Sequence, residues 1–203
     1  MPGNKQGKVK TAKLGGCIVA SVTPMKKSGA IDYPLYRKLV EWFIDQGVDG
    51  ICAAGTTGES PTLEPSEHSE FIAKTVRFVD GRVPVVAGTG ANSTAEAVSL
   101  TATACADGAD YCLSVVPYYN RPPQEGLRRH FEEIAERSSR PIILYNVPGR
   151  TVADLADETV GELARHPRIA GIKDATGNIF RAVKIREFTD ENFILLSGDD
   201  STS

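Results

Sequence analysis

The sequence predicts an α/β fold in which helices cover a parallel sheet. Two observations predict it. Short apolar segments alternate strictly with segments of helical spacing over residues 17–203. The apolar segments are hydrophobic throughout, whereas a strand with one solvated face alternates apolar and polar residues, so these strands are expected to be buried on both faces. A doubly wound open sheet and a (β/α)8 barrel both have this order of elements, and the pattern alone leaves both open.

The predicted strands are apolar runs that end at turn-forming residues, as Cys17 to Val22 does at Thr23 and Pro24. They span 17–22, 49–54, 84–87, 110–116, 141–145, 169–172 and 193–196. A complete barrel takes about 250 residues and eight strands. The 203 residues supply seven strands and six connecting helices. If the fold is a barrel, the pattern therefore predicts one that is truncated after its seventh strand.

The first predicted helix spans 33–45 and is expected to present Leu35, Leu39 and Trp42 on one apolar face, because these residues recur at helical spacing. Pro65 suits the first turn of the second helix, which is expected to end at Val79. The third helix is predicted to begin at a cap formed by Asn92 or Ser93 and to end at 106. Later helices are predicted to run through 127–134, through 160–163 and over 178–188.

The composition is that of an ordinary globular protein. Hydrophobic residues make up 41% of the chain and charged residues 24%. A net charge of -3 gives no sign of a nucleic acid or an anionic membrane as partner. No apolar run approaches the length that spans a bilayer. These properties predict one domain over 14–203 after a disordered tail at 1–13, which has lysines but no hydrophobic region and so is not a secretory signal.

The cysteines and histidines do not have the spacing of a metal site or a redox motif. We expect the cysteines to be small buried residues, three in strands and one in a helix, in a reducing compartment such as the cytoplasm. The residues concerned are Cys17, Cys52, Cys105 and Cys112, with His68, His130 and His166. We therefore predict no bound metal.

Lys173 stands at the end of the sixth predicted strand, where its stem would lie at the mouth of an apolar core. Burial disfavours the charged ammonium form. A partly deprotonated amine attacks carbonyl groups and can form a Schiff base. The alternative is a lysine whose stem is buried and whose charged end reaches water. Because active sites of parallel α/β proteins lie at the carboxyl ends of the strands, the surrounding strand ends bear on the choice.

Those strand ends are rich in polar groups, which favours a functional site. The residues are Thr56, Thr57, Tyr118, Tyr119, Tyr145, Asn146, Arg150, Gly198 and Asp199. Three of these features have two interpretations each. The 55–58 turn could bind a carboxylate or phosphate, or be a plain turn. Tyr145 could relay protons or be a core aromatic, and Arg150 could bind a carboxylate or lie in solvent. Asp174 is expected to be structural, and the loop at 88–90 lacks the third glycine of a nucleotide-binding motif.

Five motifs in order resemble the dihydrodipicolinate synthase family, the 4-hydroxy-tetrahydrodipicolinate synthases within the pyruvate-dependent class I aldolase superfamily of (β/α)8 barrels. They are Gly55-Thr-Thr-Gly-Glu59, Pro117-Tyr-Tyr-Asn-Arg-Pro122, Leu144-Tyr-Asn-Val-Pro148 with Arg150 and Thr151, Gly171-Ile-Lys173, and Leu196-Ser-Gly-Asp199. The likeness runs from about Cys17 to the last residue. Arg150 in its Val-Pro-Gly-Arg-Thr setting favours the synthases over relatives that cleave sialic acid or sugar acids, which remain the alternative.

The resemblance implies a role for each residue. Lys173 would form an imine with pyruvate, with no metal or other cofactor. Thr56 and Thr57 would hold the pyruvate carboxylate, and Tyr145 would relay protons in a triad with Thr57 and Tyr119. Arg150 would bind L-aspartate 4-semialdehyde, and the Gly198 backbone would lie near pyruvate. Tyr119 would reach into a neighbouring subunit, which implies a homodimer or homotetramer.

The resemblance also implies a regulatory pocket and a missing part. Family members are often inhibited by lysine at a dimer interface, and His68, Asn92, Glu96 and Tyr118 match positions of that pocket. Asn92 and Glu96 are expected one turn apart on a helix face. The family continues through an eighth strand and C-terminal helices. Their absence would leave the first and seventh strands with unpaired edges, and an inactive fragment is a further alternative.

Overall fold

The computed structural model describes residues 14–202, and the predicted tail at 1–13 lies outside the described residues. Seven strands form one parallel sheet in the order β1-β2-β3-β4-β5-β6-β7. They are β1 Ile18–Ala20, β2 Gly50–Ala53, β3 Val85–Gly88, β4 Tyr111–Val115, β5 Ile142–Asn146, β6 Ile169–Asp174 and β7 Ile194–Ser197. Each strand pairs with the next one along the chain, whereas a doubly wound sheet reverses its order at a switch point. The fold is therefore that of a (β/α)8 barrel, of which the described residues supply seven strands.

Helices connect the strands on the outside of the sheet. They are α1 Tyr33–Asp45, α2 Pro65–Val79, α3 Thr94–Ala106, α4 Gln124–Arg137, α5 Pro148–Thr151, α6 Asp157–Leu163 and α7 Phe180–Phe188. The bounds of α1 and α2 are those that the sequence predicted. Ser93 caps α3, since its side-chain oxygen accepts a hydrogen bond from the Glu96 backbone N–H. The four-residue α5 and a 3₁₀ turn at Ser60–Thr62 lie in segments that were expected to be loops.

The sheet has a hydrophobic cluster on each face. The inner cluster holds Tyr111, Leu113 and Tyr145 with five other buried apolar residues. The outer cluster holds the alternating residues, such as Cys112 and Leu144, packed against the helices. Because side chains alternate between the two faces of a strand, both faces of β2 to β5 are buried. That burial accounts for the continuous apolar runs in the sequence. The edge strands β1 and β7 are only half-buried, so the expectation of burial on both faces is wrong for these two strands.

The apolar face predicted for α1 is wrong for Leu35 and Trp42, whereas Leu39 packs against the outer cluster as predicted. Tyr36 and Val40 are buried, whereas Leu35 and Trp42 are 52% and 54% exposed. The Tyr36 hydroxyl lies 2.9 Å from Thr75 Oγ1 and 3.3 Å from Ser21 Oγ. A tyrosine can be buried whole when its polar end finds such partners. The face of α1 that carries Tyr36 and Val40 therefore packs against the core. The spacing of the leucines and the tryptophan did not predict this face.

The prediction for the cysteines is wrong for Cys17, which is exposed and precedes β1. Cys52 and Cys112 are buried, and Cys105 is half-buried near the end of α3. Within residues 14–202, no group of three histidine, cysteine, aspartate or glutamate side chains is placed to hold a metal ion. In the same part of the chain, no helix has both the length and the apolar character to cross a bilayer.

Among the described residues, β1 and β7 are the two edges of the sheet. The outer face of α7 also exposes large apolar side chains, with Phe180 at 70% and Val183 at 64% of their full exposure. Contiguous exposed apolar groups are uncommon on the surface of an isolated globular protein and mark a surface that other protein covers. The edge strands agree with the sequence prediction.

Candidate active site

A cavity of about 280 Å3 opens at the carboxyl ends of the strands. Its walls come from four neighbouring strands and the loops that follow them. The lining residues include Gly55, Thr56, Gly88, Gly90, Leu113, Val115, Tyr118, Tyr145, Val147, Arg150 and Thr151. Leu113, Val115 and Val147 were not among the predicted site residues. The alternation of inward side chains along β4 and β5 is the signal that would have identified them.

Two glycines allow the loop after β3 to lie against its neighbours. A Cβ atom on Gly88 would lie 2.1 Å from the Ala54 carbonyl oxygen, and one on Gly90 would lie 2.2 Å from the Val115 nitrogen. Both contacts are with backbone, which cannot move aside easily. The glycines at 88–90 are therefore explained by close backbone packing at the cavity wall, which needs no nucleotide.

Lys173 and Tyr145 are paired residues on adjacent strands. The lysine Nζ atom lies 4.9 Å from the centre of the tyrosine ring, a distance at which a cation is attracted to the face of the ring. Tyr145 is buried in the inner cluster and Lys173 is half-buried. The structure thus brings the two residues together at the end of the barrel, as the sequence analysis expected.

Two further residues define the surroundings of the lysine stem. A Cβ atom on Gly198 would lie only 2.6 Å from Lys173 Cε, so the glycine leaves the space that the stem occupies. Burial raises the pKa of the Cys52 thiol, and the positive charge of Lys173 opposes that increase.

Thr56 and Thr57 lie on the exposed turn after β2, and Thr56 lines the cavity. The turn begins at Ala54, whose φ is 51°. Tyr118 also lines the cavity, whereas Tyr119 is 88% exposed. No hydrogen bond joins Thr57, Tyr119 and Tyr145 within the part of the chain that the structure describes. The predicted triad therefore remains a prediction.

Arg150 is carried to the rim of the cavity by the short helix α5. The buried Thr151 hydroxyl anchors this helix, because it donates to the carbonyl oxygens of Val147 at 3.1 Å and Ala153 at 2.7 Å. Val152 then ends the helix with a φ of 63°, which is unusual for a β-branched residue. The Arg150 side chain itself is exposed, so it is available to a molecule at the cavity mouth.

The residues of the predicted regulatory pocket fall into two pairs. Asn92 Nδ2 donates a hydrogen bond of 3.3 Å to the Tyr118 carbonyl oxygen. His68 is buried, and burial lowers its pKa, while the backbone of Gly88 and, to a lesser extent, the charge of Glu96 oppose the decrease. The expectation that Asn92 shares a helix face with Glu96 is wrong. Asn92 precedes the cap of α3, because the Ser93 hydroxyl provides the capping oxygen.

Asp174 points away from the cavity, as expected for a structural residue. Its Oδ1 atom accepts hydrogen bonds from the backbone N–H and the hydroxyl of Thr176. Its Oδ2 atom lies 3.1 Å from the Nε atom of Arg181 on α7. Arg181 was not singled out in the sequence, because nothing in the local pattern distinguishes a buried arginine from an exposed one.

The fold is that of a (β/α)8 barrel with a cavity at the carboxyl ends of its strands. Tyr145 lines this cavity, and Lys173 lies beside Tyr145 but is not itself among the lining residues. The model of the dihydrodipicolinate synthetase family matches residues 13–203. The chain belongs to this family. Its curated relatives include proteins named 4-hydroxy-tetrahydrodipicolinate synthase from Azoarcus sp., 56% identical over 93% of this chain, and from Neisseria gonorrhoeae, 53% identical over 94% of it.

Solved structures agree with that assignment. The chloride-inhibited dihydrodipicolinate synthase of Acinetobacter baumannii, solved with pyruvate, is 51% identical over 92% of this chain, with a TM-score of 0.90. The enzyme of Cyanidioschyzon merolae, solved with lysine bound, is 43% identical over 92% of this chain, with a TM-score of 0.89. This chain covers 64% of each of those chains and 65% of each of the two curated relatives. It therefore spans just under two thirds of the length of these relatives.

Proposed function

We propose that this chain carries the active site of a 4-hydroxy-tetrahydrodipicolinate synthase. Such an enzyme condenses pyruvate with L-aspartate 4-semialdehyde in the diaminopimelate route of lysine biosynthesis. The observation that carries the proposal is the Lys173 amine held 4.9 Å from the centre of the Tyr145 ring. The names of the two curated relatives described above support the same activity.

In the proposed reaction, Nζ of Lys173 attacks the keto carbon of pyruvate and water leaves, which forms an imine. The Tyr145 hydroxyl relays the protons that these steps move. The imine withdraws electrons, so the methyl group of pyruvate loses a proton and the resulting enamine attacks the aldehyde carbon of the second substrate. The amine of the adduct then attacks the imine carbon, closes the ring and displaces Lys173. The imine itself accepts the electrons, so the proposal requires no metal or organic cofactor.

The substrate carboxylates have candidate partners at the cavity. We expect Thr56 and Thr57, with the backbone N–H groups of their turn, to bind the carboxylate of pyruvate. Arg150 at the rim would bind the carboxylate of L-aspartate 4-semialdehyde through its two-pronged guanidinium. Gly198 would bring backbone close to pyruvate. A proton relay from Tyr145 to Thr57 and Tyr119 completes the proposed machinery.

We also propose that the site is completed in a homodimer or homotetramer. The Tyr119 side chain is 88% exposed, and its φ is 74°. A strained backbone at an exposed aromatic residue suits a side chain that is presented to a second subunit. One related structure is described as a monomeric dihydrodipicolinate synthase variant, so this assembly is not universal in the family. The free thiols of the described residues suit a reducing compartment such as the cytoplasm.

Reduction with borohydride in the presence of pyruvate tests the proposal. An imine on Lys173 should be reduced to a stable adduct that appears in the intact mass and maps to the peptide carrying Lys173. Lys173→Arg should abolish the adduct, whereas Lys184→Arg on α7 is the matched control and should retain it. An intact mass without an adduct on the unmodified chain would overturn the proposal.

Arg150 separates the synthase from other pyruvate-dependent lyases. Arg150→Ala should leave trapping of the pyruvate imine within about twofold of the parent chain and lower turnover of L-aspartate 4-semialdehyde by about 100-fold, because only the second substrate loses a charged partner. Equal loss of both activities would instead assign Arg150 to pyruvate.

Lysine inhibition is a separate part of the proposal. His68, Asn92, Glu96 and Tyr118 would bind the inhibitor, with the Glu96 carboxylate facing its ammonium group. Titration of L-lysine in an activity assay should lower the rate, and Glu96→Gln should weaken that effect. Full activity at millimolar L-lysine would end this part of the proposal and leave the catalytic part intact.

A further inference from the structure

We propose that Arg181 is a positioning residue for the lysine site. It holds the ends of β5 and β6 together from the outer face of the sheet, and it thereby keeps Lys173 and Tyr145 within reach of one molecule. The inference rests on the proposed function for its catalytic consequence. The mechanical part, which concerns the two strand ends, can be tested without pyruvate.

Arg181 lies in the first turn of α7 and is only 8% exposed. Its guanidinium is surrounded by three carboxylates. Nη1 lies 3.1 Å from Asp154 Oδ1, Nη2 lies 3.0 Å from Asp157 Oδ1, and Nε lies 3.1 Å from Asp174 Oδ2. Nη2 also donates a hydrogen bond of 2.6 Å to the Leu155 carbonyl oxygen. One side chain therefore joins β6 to the 154–157 segment that follows β5 and α5.

Asn146 connects this cluster to the end of β5. Its amide nitrogen donates to Asp154 Oδ1 at 2.7 Å and to Asp174 Oδ2 at 3.3 Å. Its amide oxygen accepts a hydrogen bond of 3.1 Å from the Leu155 backbone N–H. Asn146 is wholly buried. The Asn146 amide thus bridges Asp154 and Asp174, two of the three aspartates that Arg181 contacts.

The cluster is one residue away from the reactive pair on both strands. Asn146 pairs with Asp174 in the sheet, directly after the pairing of Tyr145 with Lys173. Successive side chains of a strand point to opposite faces. Holding residues 146 and 174 together on the outer face therefore sets the relative height of residues 145 and 173 on the inner face.

Charge explains why the arginine is needed. The side chains of Asp157 and Asp174 are only 16% and 18% exposed, so water screens them poorly. Without the guanidinium, partly buried carboxylates would face one another with no cation between them, which is costly. We expect β6 to move away from the 154–157 segment in that case, and the lysine amine to leave its place over the Tyr145 ring.

The first test measures the strand ends directly. The Ala175 N–H is bonded to the Asn146 carbonyl oxygen at 2.8 Å, and the Gly198 N–H to the Asp174 carbonyl oxygen at 2.7 Å. In Arg181→Met, hydrogen exchange of these two amides should accelerate by about tenfold or more, because they report local opening of β5–β6 and β6–β7. The Ser21 N–H, bonded to Cys52 at the far side of the sheet, should exchange as before.

The second test measures the consequence for the amine. In Arg181→Met, borohydride trapping at saturating pyruvate should slow by about 10- to 100-fold, because the reactive groups are misplaced. The half-saturating pyruvate concentration should change by less than about threefold, because the groups that bind the carboxylate are untouched. Arg181→Lys should restore trapping only in part, because an ammonium cannot replace the guanidinium fork. Loss of a merely structural residue would lower thermal stability without slowing trapping selectively at an unchanged half-saturating pyruvate concentration.

Matched variants exclude a general loss of stability. Arg128 on α4 also contacts three carboxylates, those of Glu125, Glu132 and Glu162, and Arg128→Met should leave trapping unchanged. Asp174→Asn and Asp157→Asn each remove one ion pair of Arg181. Asp174→Asn should slow trapping at least about fivefold more than Asp157→Asn, because only Asp174 follows the lysine. These two variants also serve if Arg181→Met does not fold.

The outcomes separate this inference from the proposed function. If the parent chain forms no pyruvate adduct, the proposed function fails. The positioning role of Arg181 can still be tested by the amide exchange rates and by the rate at which formaldehyde and a reductant methylate Lys173. Parent-like exchange at Ala175 and Gly198 in Arg181→Met would overturn the inference. So would equal effects of Asp174→Asn and Asp157→Asn, or a loss of trapping in Arg128→Met as large as that in Arg181→Met.

Discussion

Gly198 shows how a single missing methyl group can determine where a lysine lies. A Cβ atom there would meet Lys173 Cε at 2.6 Å and Ala175 Cβ at 3.0 Å. The first of these contacts is with the far part of a flexible side chain, which can move at little cost. The space beside β7 therefore bears on the position of the amine more than on the stability of the fold.

Gly198→Ala should accordingly slow borohydride trapping of pyruvate by about tenfold, because a displacement of about 1 Å is costly for a positioned nucleophile. Its melting temperature should stay within about 3 °C of the parent. Gly15→Ala is the control, since a Cβ atom at Gly15 meets nothing within 4 Å. A parent-like trapping rate in Gly198→Ala would contradict this explanation.

Cys105 differs from the other thiols. Hydrogen bonds from the Cys112 thiol, whose sulfur lies 3.9 Å away, and from Ser138 and Ser139 lower the pKa of Cys105 to about 5, although burial opposes them. The pKa of Cys112 is raised in turn by the same contact and by burial. Cys105 is therefore expected to be a thiolate at neutral pH.

The rate of alkylation by iodoacetamide can be followed for each cysteine by peptide mass spectrometry. The rate at Cys105 should be nearly constant from about pH 6 to about pH 9, whereas the rate of an ordinary thiol rises tenfold per pH unit below about 8.5. Cys112→Ala removes the main hydrogen-bond donor and should move the Cys105 profile to higher pH. Free cysteine, alkylated in the same buffers, provides the ordinary profile. Identical profiles for Cys105 and free cysteine would contradict the assignment.

At the scale of elements, the packing of α3 against α4 depends on a neutral histidine. His130 on α4 is buried, and its Nδ1 atom lies 2.9 Å from the Thr94 hydroxyl at the start of α3. Burial lowers the pKa of His130 to about 4. In the unfolded chain the pKa of a histidine is about 6.5. Between these values the unfolded chain binds more protons, so folding stability rises with pH.

The stability that a neutral His130 provides is therefore complete above about pH 6.5 and is lost as the pH falls toward about 4. Between pH 7 and pH 4.5 the free energy of unfolding should fall by about 2 to 3 kcal/mol more in the parent than in His130→Gln, which cannot titrate but can still bond Thr94. Urea denaturation of both proteins at the two pH values measures this difference in the free energy of unfolding. The contributions of other titrating groups are the same in both proteins and therefore cancel in the comparison. Equal losses in the two proteins would rule out this role.

At the scale of the whole molecule, the 203-residue chain leaves apolar surface uncovered. Phe180 and Val183 on α7 are exposed, whereas Ile185 on the same helix is buried in the outer core. Among residues 14–202, β1 and β7 are the edges of the sheet, and backbone groups on such edges can pair with another chain. We therefore expect this chain, when isolated, to associate through these surfaces.

Charged substitutions at the exposed positions should reduce that association. The double variant Phe180→Glu, Val183→Lys should elute as a smaller species in size-exclusion chromatography and bind less of a hydrophobic dye, with a melting transition unchanged within about 3 °C. Ile185→Lys is the opposite control and should abolish cooperative melting, because it buries an unpaired charge. Unchanged elution of the double variant would show that other surfaces drive association.

The sequence by itself determined the order of the elements and the place of the site. The apolar runs located the seven strands that residues 14–202 form, Pro65 and Ser93 marked helix starts, and Lys173 and Tyr145 were identified from their places at strand ends. These features depend on local physics: backbone propensity, capping and the rule that side chains alternate along a strand. Local signals of this kind can be read without knowing what packs against them.

Only the tertiary structure decided which residues face one another. It buried Tyr36 in place of Trp42, because the hydroxyls of Ser21, directly after β1, and of Thr75 on α2 are available to the tyrosine. It also gathered Arg181 with three aspartates that lie 7 to 27 residues away along the chain. Burial and ion pairing depend on groups that the fold brings together from distant positions. The sequence locates Lys173, the proposed nucleophile, whereas the residues that lie beside its side chain are known only from the packing of distant segments.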